Sequence, residues 1–206
     1  MKLFLGLMWL MIGTASAQTP VEDKSYRLLR PAVAAPSGDR VEVIEFFYYG
    51  CPVCYEAQPH LARWLAGHGK QVSWRRVPAV FTESSESFAR TFFALEAMNE
   101  VARLNWPLYD NHHFDGRQLN EYKNVVSWVA ANGVDRARFE ALWKSDAVTA
   151  RLAEAKKTVA ACHVSGVPSL VVDGKYLTSA KLAGGTREMV GVVDFLVQRA
   201  GADRWK

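Results

Sequence analysis

Cys51-Pro52-Val53-Cys54 places two cysteines three positions apart directly after Gly50. That spacing permits a small disulfide ring. Proline suits a first helical position, because its missing N–H would lack a partner there anyway. A sulfur at a helix start lies at the positive end of the helix dipole, among backbone N–H groups without helical partners. Both effects favour thiolate over thiol, and the thiolate is the form that attacks disulfides and leaves from them. A depression of two pKa units corresponds to about 2.7 kcal/mol, or roughly 60 mV, in favour of the reduced pair. A pair biased in that direction hands its disulfide to other thiols. Two other readings fit the same residues. One is half a zinc site completed by Cys162 and His163; the other is an inert structural bridge. Cys162 and His163 abut, whereas structural zinc ligands usually come as spaced pairs, which weakens the first.

The elements that must hold the pair are legible around it. Val41 to Tyr49 is rich in β-branched and aromatic residues and apolar on both faces, as in a central strand covered on both sides. The cysteines then open a helix expected to run to about Ala66, with Pro59 inside it and Gly67 and Gly69 after it. Val72 to Val77 reads as a second strand stopped by Pro78. From Phe81 to about Cys162 the apolar period becomes helical, as in Phe88, Phe92, Leu95 and Met98. Pro107, Gly116 and Asn132-Gly133 are the breakers in this block. Ser169 to Val172 and Lys175 to Leu177 form a hairpin across Asp173-Gly174, a type I′ pair. A last amphipathic helix covers Arg187 to Arg199. Strand-helix-strand, helical block, hairpin and helix make a thioredoxin-like α/β layout with a helical insertion. The expected domains are residues 18–78 and 147–206 for the discontinuous α/β part and 79–146 for the insert.

The chain of 206 residues is half hydrophobic with a formal charge of +4. It can bury a core, and disorder is excluded. The small positive surplus comes without a basic run, so no nucleic-acid partner is expected. Met1-Lys2, the apolar stretch Leu3 to Ile12 and Ala15-Ser16-Ala17 form a three-part secretory signal, residues 1–17, with Gln18 as the first mature residue. The apolar stretch is shorter than the roughly 20 residues of a spanning helix. Export places the mature chain where disulfides persist, and this setting favours redox chemistry at Cys51 and Cys54.

Glu45 sits inside the first strong strand. A carboxylate buried there costs free energy unless it is paired or used, and near the inner sulfur it can shuttle the Cys54 proton. Cys162 reads as a small buried hydrophobe. His60, His68, His112 and His113 form no ligand pattern. An enzyme acting on unfolded chains also needs exposed aromatic surface near Cys51.

Glu45 to Cys54 resembles the active-site strand and helix of the DsbA family of periplasmic thiol:disulfide oxidoreductases. Val164-Ser165-Gly166-Val167-Pro168-Ser169 and Val171 to Tyr176 resemble its second signature, and Phe88 to Ala94 the opening of its inserted helical domain. The resemblance implies Cys51 as nucleophile, Cys54 as buried resolving partner, and Pro168 as a cis proline facing them. It implies that the Val167 backbone binds an extended substrate segment. It further implies no cofactor, newly exported cysteine-containing proteins as substrates, reoxidation by a DsbB-like quinone-linked membrane oxidase, and a monomer in the periplasm. Two departures stand out. Valine occupies position 53, where the best-known pattern of the family has histidine, so a somewhat weaker oxidant is expected. A lysine often found in the second strand is missing, with Trp74 in its place and Arg75 and Arg76 beside it. A reductase or isomerase on the same scaffold, a zinc-binding module and a non-catalytic chaperone-like binder are the alternatives. Isomerases of this kind usually carry an N-terminal dimerisation domain, for which the residues before Val41 are too few.

Overall fold

Seven consecutive residues, Val41–Phe47, are all buried and form strand β2 of a five-stranded sheet. The computed structural model describes residues 19–35 and 38–204; the expected signal segment 1–17 lies outside them. The elements in chain order are β1 (Arg27–Leu28), β2, α1 (Pro52–His68), β3 (Val72–Pro78), α2 (Glu83–Ala97), α3 (Val101–His113), α4 (Tyr122–Ala131), α5 (Arg136–Trp143), α6 (Asp146–Ala161), β4 (Ser169–Val172), β5 (Tyr176–Ser179), α7 (Ala180–Ala183) and α8 (Thr186–Arg204). The strand order is β1-β5-β4-β2-β3. β2 and β3 are parallel, joined by α1, while the other pairs are antiparallel. This is the thioredoxin-like arrangement, with α2 to α6 between β3 and the returning strands.

Strand alternation divides the core. Val41 and Val43 face a cluster built with Leu61 and Trp64 of α1 and Met189, Val193 and Leu196 of α8. Ile44 and Phe46 face a second cluster that runs into the helical block through Phe88, Phe92, Leu104 and Leu108. The sheet therefore has both faces covered, which explains why β2 is apolar on both sides. Helix α6 packs on both α2 and β3, bridging the block and the sheet.

The hairpin turn has the expected chemistry. Asp173 and Gly174 both hold positive φ, at 54° and 61°. A Cβ on Gly174 would meet the Val33 carbonyl oxygen at 1.9 Å, so only glycine fits. Helix α1 runs through Gly67 to His68 instead of stopping before that glycine, and two further readings differ from expectation. β2 stops at Phe47, because Tyr48 turns the chain and its carbonyl accepts the Cys51 N–H at 3.0 Å. Pro107 is not a breaker: α3 runs through it, with Leu104, Leu108 and Tyr109 buried on one face. Burial of that face outweighs the roughly 3 kcal/mol that an interior proline costs.

Candidate active site

Cys51 is the N-cap of α1, and Pro52 is its first helical residue. The Cys51 Sγ accepts the backbone N–H of Cys54 at 3.3 Å. A sulfur thus fills the capping role that a serine or aspartate oxygen usually takes. The Cys51 thiol also faces the carbonyl of Val167, donating to it at 3.6 Å. The Val167–Pro168 peptide bond is cis, and Pro168 is buried beside the pair. Two segments more than a hundred residues apart therefore meet at one sulfur.

The two cysteines differ in acidity. Cys51, half-buried, is drawn down to about 7. The leading cause is the hydrogen bond from the Cys54 thiol; partial burial opposes it, and the backbone N–H groups of Cys54 and Val53 assist. Cys54 has no exposed surface and is pushed well above the ordinary thiol value. Burial is the main cause, followed by its hydrogen bond to Cys51 and the charge there. The arrangement sets an accessible sulfur that ionises near neutrality against a buried one that keeps its proton.

Glu45 lies in the sheet beneath α1, with only 1% of its surface exposed. Gln58 Nε2 donates to one of its oxygens at 2.8 Å and Arg76 Nε to the other at 2.9 Å. Arg76 stands opposite Glu45 in the β2–β3 register, while Trp74 stands opposite Val43. Arg76 is thus the cation beside the buried carboxylate, and Arg75 pairs with Glu42 instead. The polar chain continues into the helical block. Asn105 Nδ2 donates to Gln58 Oε1 at 3.1 Å, and Tyr49 donates its hydroxyl to Asn105 Oδ1 at 3.0 Å.

An aromatic face begins one turn after Cys51. Tyr55 stacks on Trp106 with ring centroids 5.2 Å apart and on His113 at 5.1 Å, and Tyr55 donates to Asp110 Oδ1 at 2.8 Å. Trp106 is 43% exposed and Val53 41%. This matches the expectation of exposed aromatic surface near Cys51.

Cys51, Cys54, Glu45, Val167 and Pro168, the residues named from sequence, converge here. Cys162 does not. It is fully buried at the end of α6, in the electrostatic reach of Arg75 and Glu42, and burial pushes its thiol to about 11. The zinc arrangement with Cys162 and His163 is not formed; among the described residues no three His, Cys, Asp or Glu side chains gather into a metal-holding group. Gln58, Asn105, Tyr49 and Tyr55 were not foreseen. Gln58 had a signal, since it lies four residues after Cys54 and so on the same helix face. Asn105 had none, because only the tertiary packing of α3 on α1 brings it near.

A model of the DSBA-like thioredoxin domain matches residues 42–190. The thiol:disulfide interchange protein DsbA of Azotobacter vinelandii is 33% identical over 192 residues, covering 91% of this chain and 90% of its own. The DsbA of Pseudomonas aeruginosa is 30% identical over 188 residues, covering 91% and 89%. The crystal structure of Pseudomonas aeruginosa DsbA matches with a TM-score of 0.85 at 29% identity, over 91% of this chain and 97% of that one. That of the oxidoreductase DsbA from Xylella fastidiosa gives 0.83 at 27% identity, over 89% and 98%.

Proposed function

Because the chain belongs to the DSBA-like thioredoxin domain family, we propose that it is a thiol:disulfide oxidoreductase that donates the Cys51–Cys54 disulfide to cysteines of exported proteins as they fold. The observation that carries the reading is the contrast between the two thiols: Cys51 caps a helix, faces Val167 and ionises near pH 7, while Cys54 is buried and holds its proton.

A substrate thiolate attacks Cys51 Sγ. The Cys51–Cys54 bond breaks, its electron pair goes to the Cys54 sulfur, and a mixed disulfide joins Cys51 to the substrate. The buried Cys54 takes up a proton, with Glu45 as the neighbouring group that can shuttle it. A second substrate thiolate then attacks the substrate sulfur of the mixed disulfide and releases Cys51 as a thiolate. The substrate has lost two electrons and the pair has gained them; Cys54 carries one proton, and Cys51, released as a thiolate, leaves the other in solution. The acidity of Cys51 makes it a good leaving group in the last step. The Val167 backbone, beside cis Pro168, is the edge along which an extended substrate segment lies.

This reading takes residues 18–78 and 147–206 as the thioredoxin-like domain and 79–146 as its helical insert. It places the mature protein in the periplasm after removal of residues 1–17, acting as a monomer and reoxidised by a DsbB-like quinone-linked membrane protein. No helix among the described residues is long and apolar enough to cross a membrane.

The test mixes the oxidised protein with a reduced, unfolded dithiol protein and counts thiols on both. One disulfide in the substrate for each reduced Cys51–Cys54 pair is expected, and Cys54→Ser, which has no disulfide to give, should leave the substrate thiols unchanged. An equilibrium with glutathione that favours the Cys51–Cys54 disulfide over its dithiol would make the protein a reductase instead.

A further inference from the structure

A pocket of about 280 Å³ opens beside the cis-proline segment. Val167 and Pro168 form one wall, and Leu177 belongs to its apolar lining. Arg27 from β1, Lys181 from α7 and His163 from the loop after α6 also line it. Arg27 is brought there by the β1–β5 pairing, which sets it opposite Leu177. Three basic side chains from three separate segments thus meet at one concavity, all three exposed. Among the described residues no carboxylate lines it, whereas the buried Glu42, Glu45 and Asp173 elsewhere all have cationic partners.

The position gives this charge a purpose. Val167 belongs both to the pocket wall and to the contact with Cys51. An extended chain whose cysteine is bonded to Cys51 must run past Val167. Its side chains alternate, so the residue two positions from the reacting cysteine projects on the same side about 7 Å further along. Because the Val167 carbonyl lies 3.6 Å from the Cys51 sulfur and Val167 also lines the pocket, such a step along the Val167 segment leads from the sulfur toward the pocket. We infer that this pocket is a subsite for an acidic side chain, Asp or Glu, lying two residues from the reacting cysteine of the substrate. The inference rests on the proposed disulfide donation and names the substrate feature it selects. Opposite charge in a partly enclosed concavity favours encounter and holds the register of the bound segment, and salt weakens both effects.

The test uses the full-length oxidised protein and synthetic dithiol peptides that differ at one position, two residues before or after the reacting cysteine. That position carries Asp, Asn or Lys. In dilute buffer the Asp peptide should be oxidised about fivefold faster than the Lys peptide, the size expected for a solvent-screened ion pair. The ratio should fall toward one in molar salt. In Arg27→Glu/Lys181→Glu the order should reverse, and Arg27→Lys should keep it. Equal rates for the Asp and Lys peptides overturn the subsite, as does a preference that survives the charge reversal. Failure of every peptide to be oxidised overturns the disulfide-donor reading and the subsite with it, so the two failures are distinguishable.

Discussion

Arg76 holds the buried carboxylate of Glu45 from the adjacent strand, Nε to oxygen at 2.9 Å, at directly paired positions of β2 and β3. A carboxylate inside a strand covered on both faces is tolerated only with charge and hydrogen bonds around it. Removing one partner of such a pair leaves the other uncompensated, which costs about 3–5 kcal/mol when both are fully buried. Arg76 reaches solvent in part, so Arg76→Met should lower the unfolding free energy of the reduced protein by about 3 kcal/mol. Arg76→Lys should recover part of that. Urea unfolding of the three proteins measures it, and a loss under 1 kcal/mol in Arg76→Met would show that Glu45 does not depend on this cation.

The pair also marks where sequence reading ends. The strand, the Cys51 cap and the glycine turn at 174 are written in local residue types, and each was legible. Glu45 was legible as a problem, since a charged residue in an apolar strand demands a partner. Which arginine answers it was not, because that depends on the β2–β3 register. A shift of one residue would have chosen Arg75. The partners from the insert were less accessible still: Asn105 and Trp106 lie on a helix whose angle against α1 no local pattern encodes. Pro107 misled for a related reason, since local chemistry breaks a helix there and tertiary burial restores it.

Cys51 should react with an alkylating reagent along a titration curve centred near pH 7, because its thiol is lowered from 9.0 to about 7. Cys54 and Cys162 should stay silent in the native reduced protein, both being buried and both raised in pKa. One rapid equivalent per chain at pH 7.5 is the expected result. A midpoint above 8.5 would remove the acid sulfur on which disulfide donation depends.

The same shift makes the stability of the reduced protein depend on pH. Below pH 7 Cys51 is protonated in both the folded and unfolded chains and contributes nothing. Between about 7 and 9 only the unfolded chain holds the proton, so stability rises with pH, and the contribution is complete above 9. Two units correspond to about 2.7 kcal/mol, which solvent screening of a half-exposed sulfur reduces to about 1 kcal/mol. The stability gap between the reduced protein and Cys51→Ser should widen by that amount from pH 6 to pH 9. A gap that stays constant contradicts the assigned acidity.

Val53 contributes a backbone N–H to Cys51 but no side-chain charge, and its side chain is well exposed beside the sulfur. In Val53→His a protonated imidazole would add attraction for the thiolate. Each unit by which the Cys51 pKa falls stabilises the reduced pair by about 1.4 kcal/mol, equivalent to about 30 mV. The variant should be the stronger oxidant in equilibrium with glutathione. A potential equal to or below that of the parent would mean that the helix terminus already saturates the effect.

Gln58 and Asn105 form the one link of the buried polar chain that crosses from α1 to the helical insert, at 3.1 Å. Gln58→Leu deprives Glu45 of a donor and strands the Asn105 N–H. Asn105→Ala strands the Gln58 carbonyl oxygen and removes the acceptor of the Tyr49 hydroxyl. Each orphaned buried group costs about 1–3 kcal/mol. The double variant removes both ends of the shared bond, so neither end is left unpaired on account of the other. Its loss should therefore fall short of the sum of the two single losses by at least about 1 kcal/mol, within the range seen for residues in one hydrogen-bonded network. Strict additivity in urea unfolding would show that the two amides act independently, and that their shared bond adds nothing to the hold of the insert on α1.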